Sequence, residues 1–185
     1  MNLTKTIKSA VQHLEYYMGK TDAKNTLPHP KNLGHGYIDV LNQDTGYRFR
    51  MYGGSFYDAP VNTSVYTVKL EKMIQVECDQ LFPIRDFSVP SLVELIENVD
   101  KILNASRSQV ETYIGCMGGF GRTGTVASAV LMVATKCTAH QAIDQIRANI
   151  HPHCVETRQQ VEFLEEFGSV LAIHGFAALK TLHDV

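Results

Sequence analysis

No stretch of the 185-residue chain approaches the ~18 consecutive apolar residues that a membrane-spanning helix requires. The opening run MNLTKTIKSAVQHLEYY carries lysines but has neither a continuous apolar core nor a small-residue cleavage site, which argues against a secretory signal. Charge of one sign is also missing: 17 Lys and Arg stand against 19 Asp and Glu, a formal net charge of -2. That balance provides no global field to hold nucleic acid or an anionic membrane, although a single cleft can still be positive. The four cysteines, Cys78, Cys116, Cys137 and Cys154, form no CxxC pair, and a chain of this size has no need of disulfide staples. Reduced thiols in a cytoplasmic setting are the expectation, and that leaves at least one cysteine free for chemistry. There is no internal repeat and no low-complexity tract, so an array of stacked units is excluded.

What is present is a globular composition. Apolar residues make up 44% of the chain and charged residues 19%, enough to fill the core of one domain. We expect a single domain over 1–185, with a divergent part over 1–80 and a motif-bearing part over 81–175. Lys5 to Tyr17 has the spacing of an amphipathic helix, and Gly19 to Gly36 reads as loop. Tyr37 to Leu41, Tyr47 to Tyr52 and Ser64 to Leu70 read as strands, by alternation and by β-branched or aromatic content. After the short apolar run Leu81 to Ile84, Ser91 and Glu94 form a capping box ahead of Leu92, Leu95, Ile96, Val99, Ile102 and Leu103, spaced near 3.6. Tyr113 and Ile114 end a buried strand, and Thr123 to Lys136 reads as an apolar helix. Two further capping boxes, Thr138 with Gln141 and Thr157 with Gln160, open two more helices. This order predicts an α/β fold with a central, mostly parallel sheet flanked by helices.

Between the strand and the Ala-rich helix lies Gly115-Cys-Met-Gly-Gly-Phe-Gly-Arg-Thr-Gly-Thr125. A loop that holds a phosphate dianion must turn backbone N–H groups inward. Gly118, Gly119 and Gly121 supply the dihedral freedom, with Met117 and Phe120 completing the cradle. The helix that follows adds free N–H groups and a dipole that favours anions. The same positive environment favours the thiolate of Cys116, so the anion trap and a nucleophile share one piece of chain. Arg122, at Cys-x5-Arg spacing, can grip two phosphoryl oxygens as a fork, which lysine would not reproduce. Thr123 places a hydroxyl within reach of the sulfur.

Cys116 to Gly124 resembles the signature loop of the protein tyrosine and dual-specificity phosphatase superfamily. Phe82-Pro-Ile-Arg-Asp-Phe-Ser-Val-Pro-Ser91 is similar to that family's mobile acid loop. Ala142 to Arg147 and Val155 to Gln160 are similar to the segment that ends in the family's glutamine. The resemblance covers roughly Leu81 to Leu164. It implies a metal-free, cofactor-free phosphomonoester hydrolase acting through a phosphocysteine, with Cys116 as nucleophile, Arg122 and the loop as phosphate holders and Asp86 as proton donor. Its substrate would be a phosphorylated protein or a small phosphorylated molecule.

Within this reading several alternatives stay open. Asp79, and behind it Asp58, compete with Asp86 for the acid; Gln160, or Gln159, could place the hydrolytic water or could simply close a capping box. Arg85 is either rim charge or an exposed side chain. Gly115 replaces the histidine that precedes the nucleophile in many relatives, and Met117 and Phe120 stand where phosphoinositide-directed relatives carry lysines, which argues against highly charged inositol phosphates. His151, His153 and Cys154 have ligand-type side chains, but Pro152 and the tight spacing disfavour zinc. Tyr16, Tyr17, Tyr52 and Tyr57 could line a cleft or pack. Cys78, Cys137 and Cys154 read as packing thiols, any one of which could pair with Cys116 on oxidation. Two rival functions are a catalytically weak or inactive module that recognises phosphorylated partners, and sulfur transfer or arsenate reduction on the same loop.

Overall fold

The computed structural model describes residues 33–61, 63–108 and 111–181. The amphipathic segment Lys5 to Tyr17 lies outside the described residues, as do Tyr16 and Tyr17. Among the described residues five strands make one sheet: β1 (Gly36–Leu41), β2 (Arg48–Ser55), β3 (Tyr66–Lys69), β4 (Gln80–Leu81) and β5 (Glu111–Cys116), in the order β1-β2-β5-β3-β4. Only β1 runs antiparallel, paired to β2; β2, β3, β4 and β5 are parallel to one another. The expected mostly parallel sheet is therefore the observed one. Among the described residues, 33–70 provide three of its strands, so the part of the sequence without motifs builds much of the scaffold.

The strand alternation separates two cores. Met51, Val68, Ile114 and Cys116 belong to a large cluster shared with the helices, whereas Tyr52, Phe56, Tyr113 and Ile74 form a smaller one with Leu33, Tyr37 and Val76 packed against it. Tyr52 and Tyr113 are fully buried with their hydroxyls satisfied, Tyr52 by Glu111 Oε1 at 3.1 Å and Tyr113 by the Ser55 carbonyl at 2.6 Å. Tyr52 is thus packing, while Tyr57 is exposed near the end of β2.

The helices of the described residues are α1 (Leu92–Ser108), α2 (Gly121–Thr135), α3 (Ala139–Asn149), α4 (Arg158–His174) and α5 (Phe176–Thr181). All three expected capping boxes form. At α1 the Ser91 N–H donates to Glu94 Oε2 at 2.9 Å and the Glu94 N–H to Ser91 Oγ at 3.2 Å; reciprocal pairs close Thr138 with Gln141 and Thr157 with Gln160. α2 carries small and apolar residues on every side, and accordingly it is buried from Gly121 to Ala134. It starts two residues earlier than its apolar periodicity predicts, inside the Gly-rich loop. The short α5 was not anticipated; its one buried side chain, Leu179, seats it against the main core. No helix of the described residues is long and apolar enough to cross a membrane.

Two outcomes follow. Thr138→Ala should cost about 1 kcal/mol in a denaturant melt, because it leaves the first-turn N–H groups of α3 without their cap. Gly115→His should destabilise by about 1–3 kcal/mol in the same assay. A Cβ at Gly115 would sit 3.0 Å from the Gly54 carbonyl oxygen and 3.0 Å from Phe56 Cα, both backbone atoms that cannot yield cheaply.

Candidate active site

β5 lies in the middle of the sheet, and its parallel neighbours β2 and β3 deliver Ser55 and Lys69 to the same end as Cys116 and Gly115. The crevice beyond the carboxyl ends of such strands is where α/β sheets place ligands. The chain leaves β5 at Cys116 and enters α2 at Gly121, so residues 117–120 must turn within four positions. Gly119 is the one loop glycine at positive φ, 82°, and a Cβ there would lie 2.3 Å from the Gly54 carbonyl carbon. Gly121 is required for space: a Cβ would meet Glu156 Oε2 at 2.4 Å. Gly118 would meet only the Phe120 ring, at 3.3 Å. The expected backbone freedom of three glycines is therefore needed at Gly119 alone.

Around the loop the hydrogen bonds are specific. The Gly119 N–H donates to Cys116 Sγ at 3.2 Å, a bond that strengthens when the sulfur is anionic. Cys116 is 3% exposed. The hydroxyl of Thr123, expected to reach the sulfur, accepts from the Cys116 backbone N–H at 3.0 Å and so clamps the start of α2 to the end of β5. Ser55 Oγ donates to the Met117 carbonyl at 2.7 Å, and Met117 itself is exposed.

Arg122 is 3% exposed and held by three partners. Its Nη1 donates to Glu71 Oε2 at 2.8 Å and to the Ile84 carbonyl at 2.9 Å. Its Nη2 lies 3.1 Å from Asp86 Oδ1. Its Nε is buried with no partner. The guanidinium holds the Glu71 carboxyl below the usual carboxylate range, helped by the Met73 N–H. The two acidic partners differ in kind: the Glu71 side chain is 15% exposed, the Asp86 side chain 62%. Asp86 sits next to Phe87, whose φ is 56°, on the turn after β4. Asp79 is committed elsewhere, accepting from the Thr67 N–H at 2.8 Å and from Thr67 Oγ1 at 2.7 Å to join β3 to β4. Asp58 and Arg85 are exposed.

A third carboxylate reaches the loop. Glu156 Oε2 accepts from the Gly121 N–H at 2.8 Å, the first donor of α2. It arrives there through a strained residue: Val155 is buried at φ 58°, a region β-branched side chains avoid at a cost of order 1–3 kcal/mol. Arg147 offsets this by donating to the Cys154 carbonyl at 2.9 Å and the Val155 carbonyl at 3.0 Å. Gly124 leaves room for it, since a Cβ there would stand 2.6 Å from the Val155 N. Gln160 is fully buried; its Oε1 accepts from the Glu156 and Thr157 N–H groups, and its Nε2 is a buried donor without a partner. Cys154 is buried beneath Gly124, and burial pushes its thiol up to about 12. All four cysteines are free.

The structure brings Cys116, Arg122, Asp86 and Thr123 together with the loop residues Met117, Gly118, Gly119, Phe120 and Gly121. Gln160 stands behind Gly121 rather than in the open cleft. Among the described residues no group of His, Cys, Asp or Glu side chains could hold a metal ion. His151 and His153 instead turn toward Phe120. Sequence reasoning missed Glu71, Glu156 and His35. Glu71 and His35 carry no motif, and only the position of Glu71 just past a strand end could have signalled it. Glu156 lay inside the segment already singled out by resemblance.

Comparison with known proteins places the fold and the family. The family model described as the Swiss Army Knife protein, DSP-PTPase phosphatase domain, matches residues 58–168. The chain is 34% identical over 88 residues to the mouse protein tyrosine phosphatase domain-containing protein 1; the match covers 48% of this chain but only 12% of that protein. It is 32% identical to the crystal structure of Tk-PTP in the active form, covering 57% of this chain and 78% of that one with a TM-score of 0.52. A mouse putative dual specificity phosphatase complexed with zinc tungstate shares the fold at 14% identity and a TM-score of 0.61, over 82% of this chain and 98% of that one. The chain belongs to the DSP-PTPase phosphatase domain family of cysteine-dependent tyrosine and dual-specificity phosphatases.

Proposed function

We propose that the chain hydrolyses phosphomonoesters through a phosphocysteine on Cys116, without metal or cofactor, on a phosphorylated protein or a small phosphorylated molecule in the cytoplasm. The observation that carries the reading is the state of Arg122. A buried guanidinium fixed on one edge by Glu71 and Ile84 keeps an unpartnered Nε, and its Nη2 is held only by an exposed carboxylate. Those two donors match a phosphoryl group's oxygens, and the loop N–H groups other than those of Gly119 and Gly121, which are given to Cys116 Sγ and Glu156, supply the rest of the cradle.

In the first step the Cys116 thiolate attacks phosphorus, the S–P bond forms as the P–O ester bond breaks, and Arg122 with the loop carries the equatorial charge. Asp86, displaced from Nη2 by the incoming phosphoryl oxygen and protonated, gives its proton to the leaving oxygen. In the second step water attacks phosphorus, Asp86 takes its proton, the S–P bond breaks and inorganic phosphate leaves. Thr123 stabilises the departing thiolate, and Gln160 acts from behind Gly121, fixing the Glu156 and Thr157 backbone rather than touching the water.

One feature favours a second reading, a weak or inactive module that binds phosphorylated partners. Asp86 and Glu156 already occupy Arg122 Nη2 and the Gly121 N–H, so an anion must compete with two carboxylates. Release of phosphate from an aryl phosphate by the purified protein, with no metal added, separates the two.

Cys116→Ser should abolish turnover of an aryl phosphate; retained activity would falsify the nucleophile assignment. Asp86→Asn should lower kcat by roughly 10²–10⁴-fold with a much smaller change in KM, since a general acid acts in the transition state. A comparable loss in Asp79→Asn with an active Asp86→Asn would move the acid to Asp79, just before β4.

A further inference from the structure

His35 is held in place before it does anything. Its N–H donates to the Gly53 carbonyl at 2.8 Å, and Gly34 ahead of it turns at φ 64° to bring the chain onto β2. From there the imidazole reaches the loop. Its Nε2 lies 2.8 Å from the Gly118 carbonyl oxygen, and because a carbonyl only accepts, Nε2 carries the proton. The ring lies flat on Phe120, with centroids 4.8 Å apart and planes at 4°. His151 covers Phe120 as well, at 4.5 Å, and stands 5.2 Å from both His35 and His153.

The three imidazoles are not equivalent proton acceptors. His151 Nδ1 accepts from the His153 backbone N–H at 3.2 Å, so a second proton on that ring would break a bond. Burial, with His35 and His153 beside it, lowers the His151 pKa accordingly. His35 differs. Gaining a proton on Nδ1 leaves its bond to Gly118 intact and makes it charge-assisted, and an imidazolium over the face of Phe120 gains cation–π attraction.

We propose that His35 is a positioning residue of the phosphate loop whose protonated form tightens oxyanion binding there. The proposal rests on the reading of residues 117–122 as an anion cradle. Its ligand class is the dianionic oxyanion, and its effect, when the ring carries a second proton, is to add a positive charge beside the loop. The other charged groups on the elements that meet there are Arg122 with Glu71 and Asp86, Glu156 at the start of α2, Arg147 beneath Val155, and the Cys116 sulfur. Arg122, Arg147 and the three carboxylates are unaltered by a change at His35, and the sulfur can be removed.

The test uses Cys116→Ser protein, so that no thiolate titrates in the loop, and inorganic sulfate, which stays dianionic across the range. Calorimetric binding at about pH 5.5 and about pH 8, the interval in which histidine titrates, gives a ratio of affinities for each protein. With His35 present, binding at the lower pH should be roughly 3- to 10-fold tighter, as expected for one added charge several ångströms from the anion. With His35→Gln, which keeps an N–H for Gly118 but cannot gain charge, the ratio should fall by at least half, any remainder coming from His153 on the far side of Phe120, while the thermal melt stays cooperative. A ratio near 1 with His35 present, or one undiminished by His35→Gln, overturns the proposal while leaving the cradle standing. Absence of sulfate binding at both pH values overturns the cradle itself, and His35's role with it.

Discussion

The buried guanidinium of Arg122 is the group on which the site depends. A cation this far from water costs several kcal/mol unless charges and acceptors surround it, and here they come from two separate connections. Glu71 arrives just past β3, the Ile84 carbonyl and Asp86 arrive after β4, and Arg122 itself is the second residue of α2. Strand order makes this convergence possible, because β5 lies beside β3, and β3 beside β4, so all three chain ends open onto one crevice. Glu71 is the fixed partner and Asp86 the exchangeable one. Since the Glu71 carboxyl is held below its ordinary range, its contribution to stability is present at neutral pH and is lost as pH falls through that lowered value.

Close packing imposes the second constraint. Gly119 touches the backbone of Gly54, Gly115 touches Phe56, and Gly124 makes room for Val155. Each contact draws the loop toward a neighbouring strand or segment, leaving the Cys116 sulfur buried with a backbone donor on it. The strained backbone of Val155 belongs to the same arrangement, since it delivers Glu156 to the Gly121 N–H. A side chain at position 115 would be crowded, its Cβ standing 3.0 Å from the Gly54 carbonyl oxygen of β2 and from Phe56 just past it.

Much of this was legible in the sequence because it is written in short-range chemistry. The capping boxes at Ser91, Thr138 and Thr157 are local hydrogen-bond patterns, and all three form. The Cys-x5-Arg loop is likewise a local object, and it lies within the residues that the family model matches. Glu71 and His35 were not legible because their importance comes from which strand ends lie side by side, which no periodicity encodes. Thr123 and Gln160 fall between: their positions were readable, but the hydroxyl of one serves the Cys116 N–H and the oxygen of the other serves a helix cap. Phe120, readable as an apolar loop residue, turns out to be covered by His35 and His151.

The central claim is that a covalent phosphoryl group passes through Cys116. Rapid acid quenching of the enzyme during turnover of an aryl phosphate, followed by peptide mass analysis, tests it most directly. The account predicts one phosphoryl group on the peptide containing Cys116, lost again when substrate is exhausted. A phosphoryl group on any other residue, or turnover with none on Cys116, would contradict it.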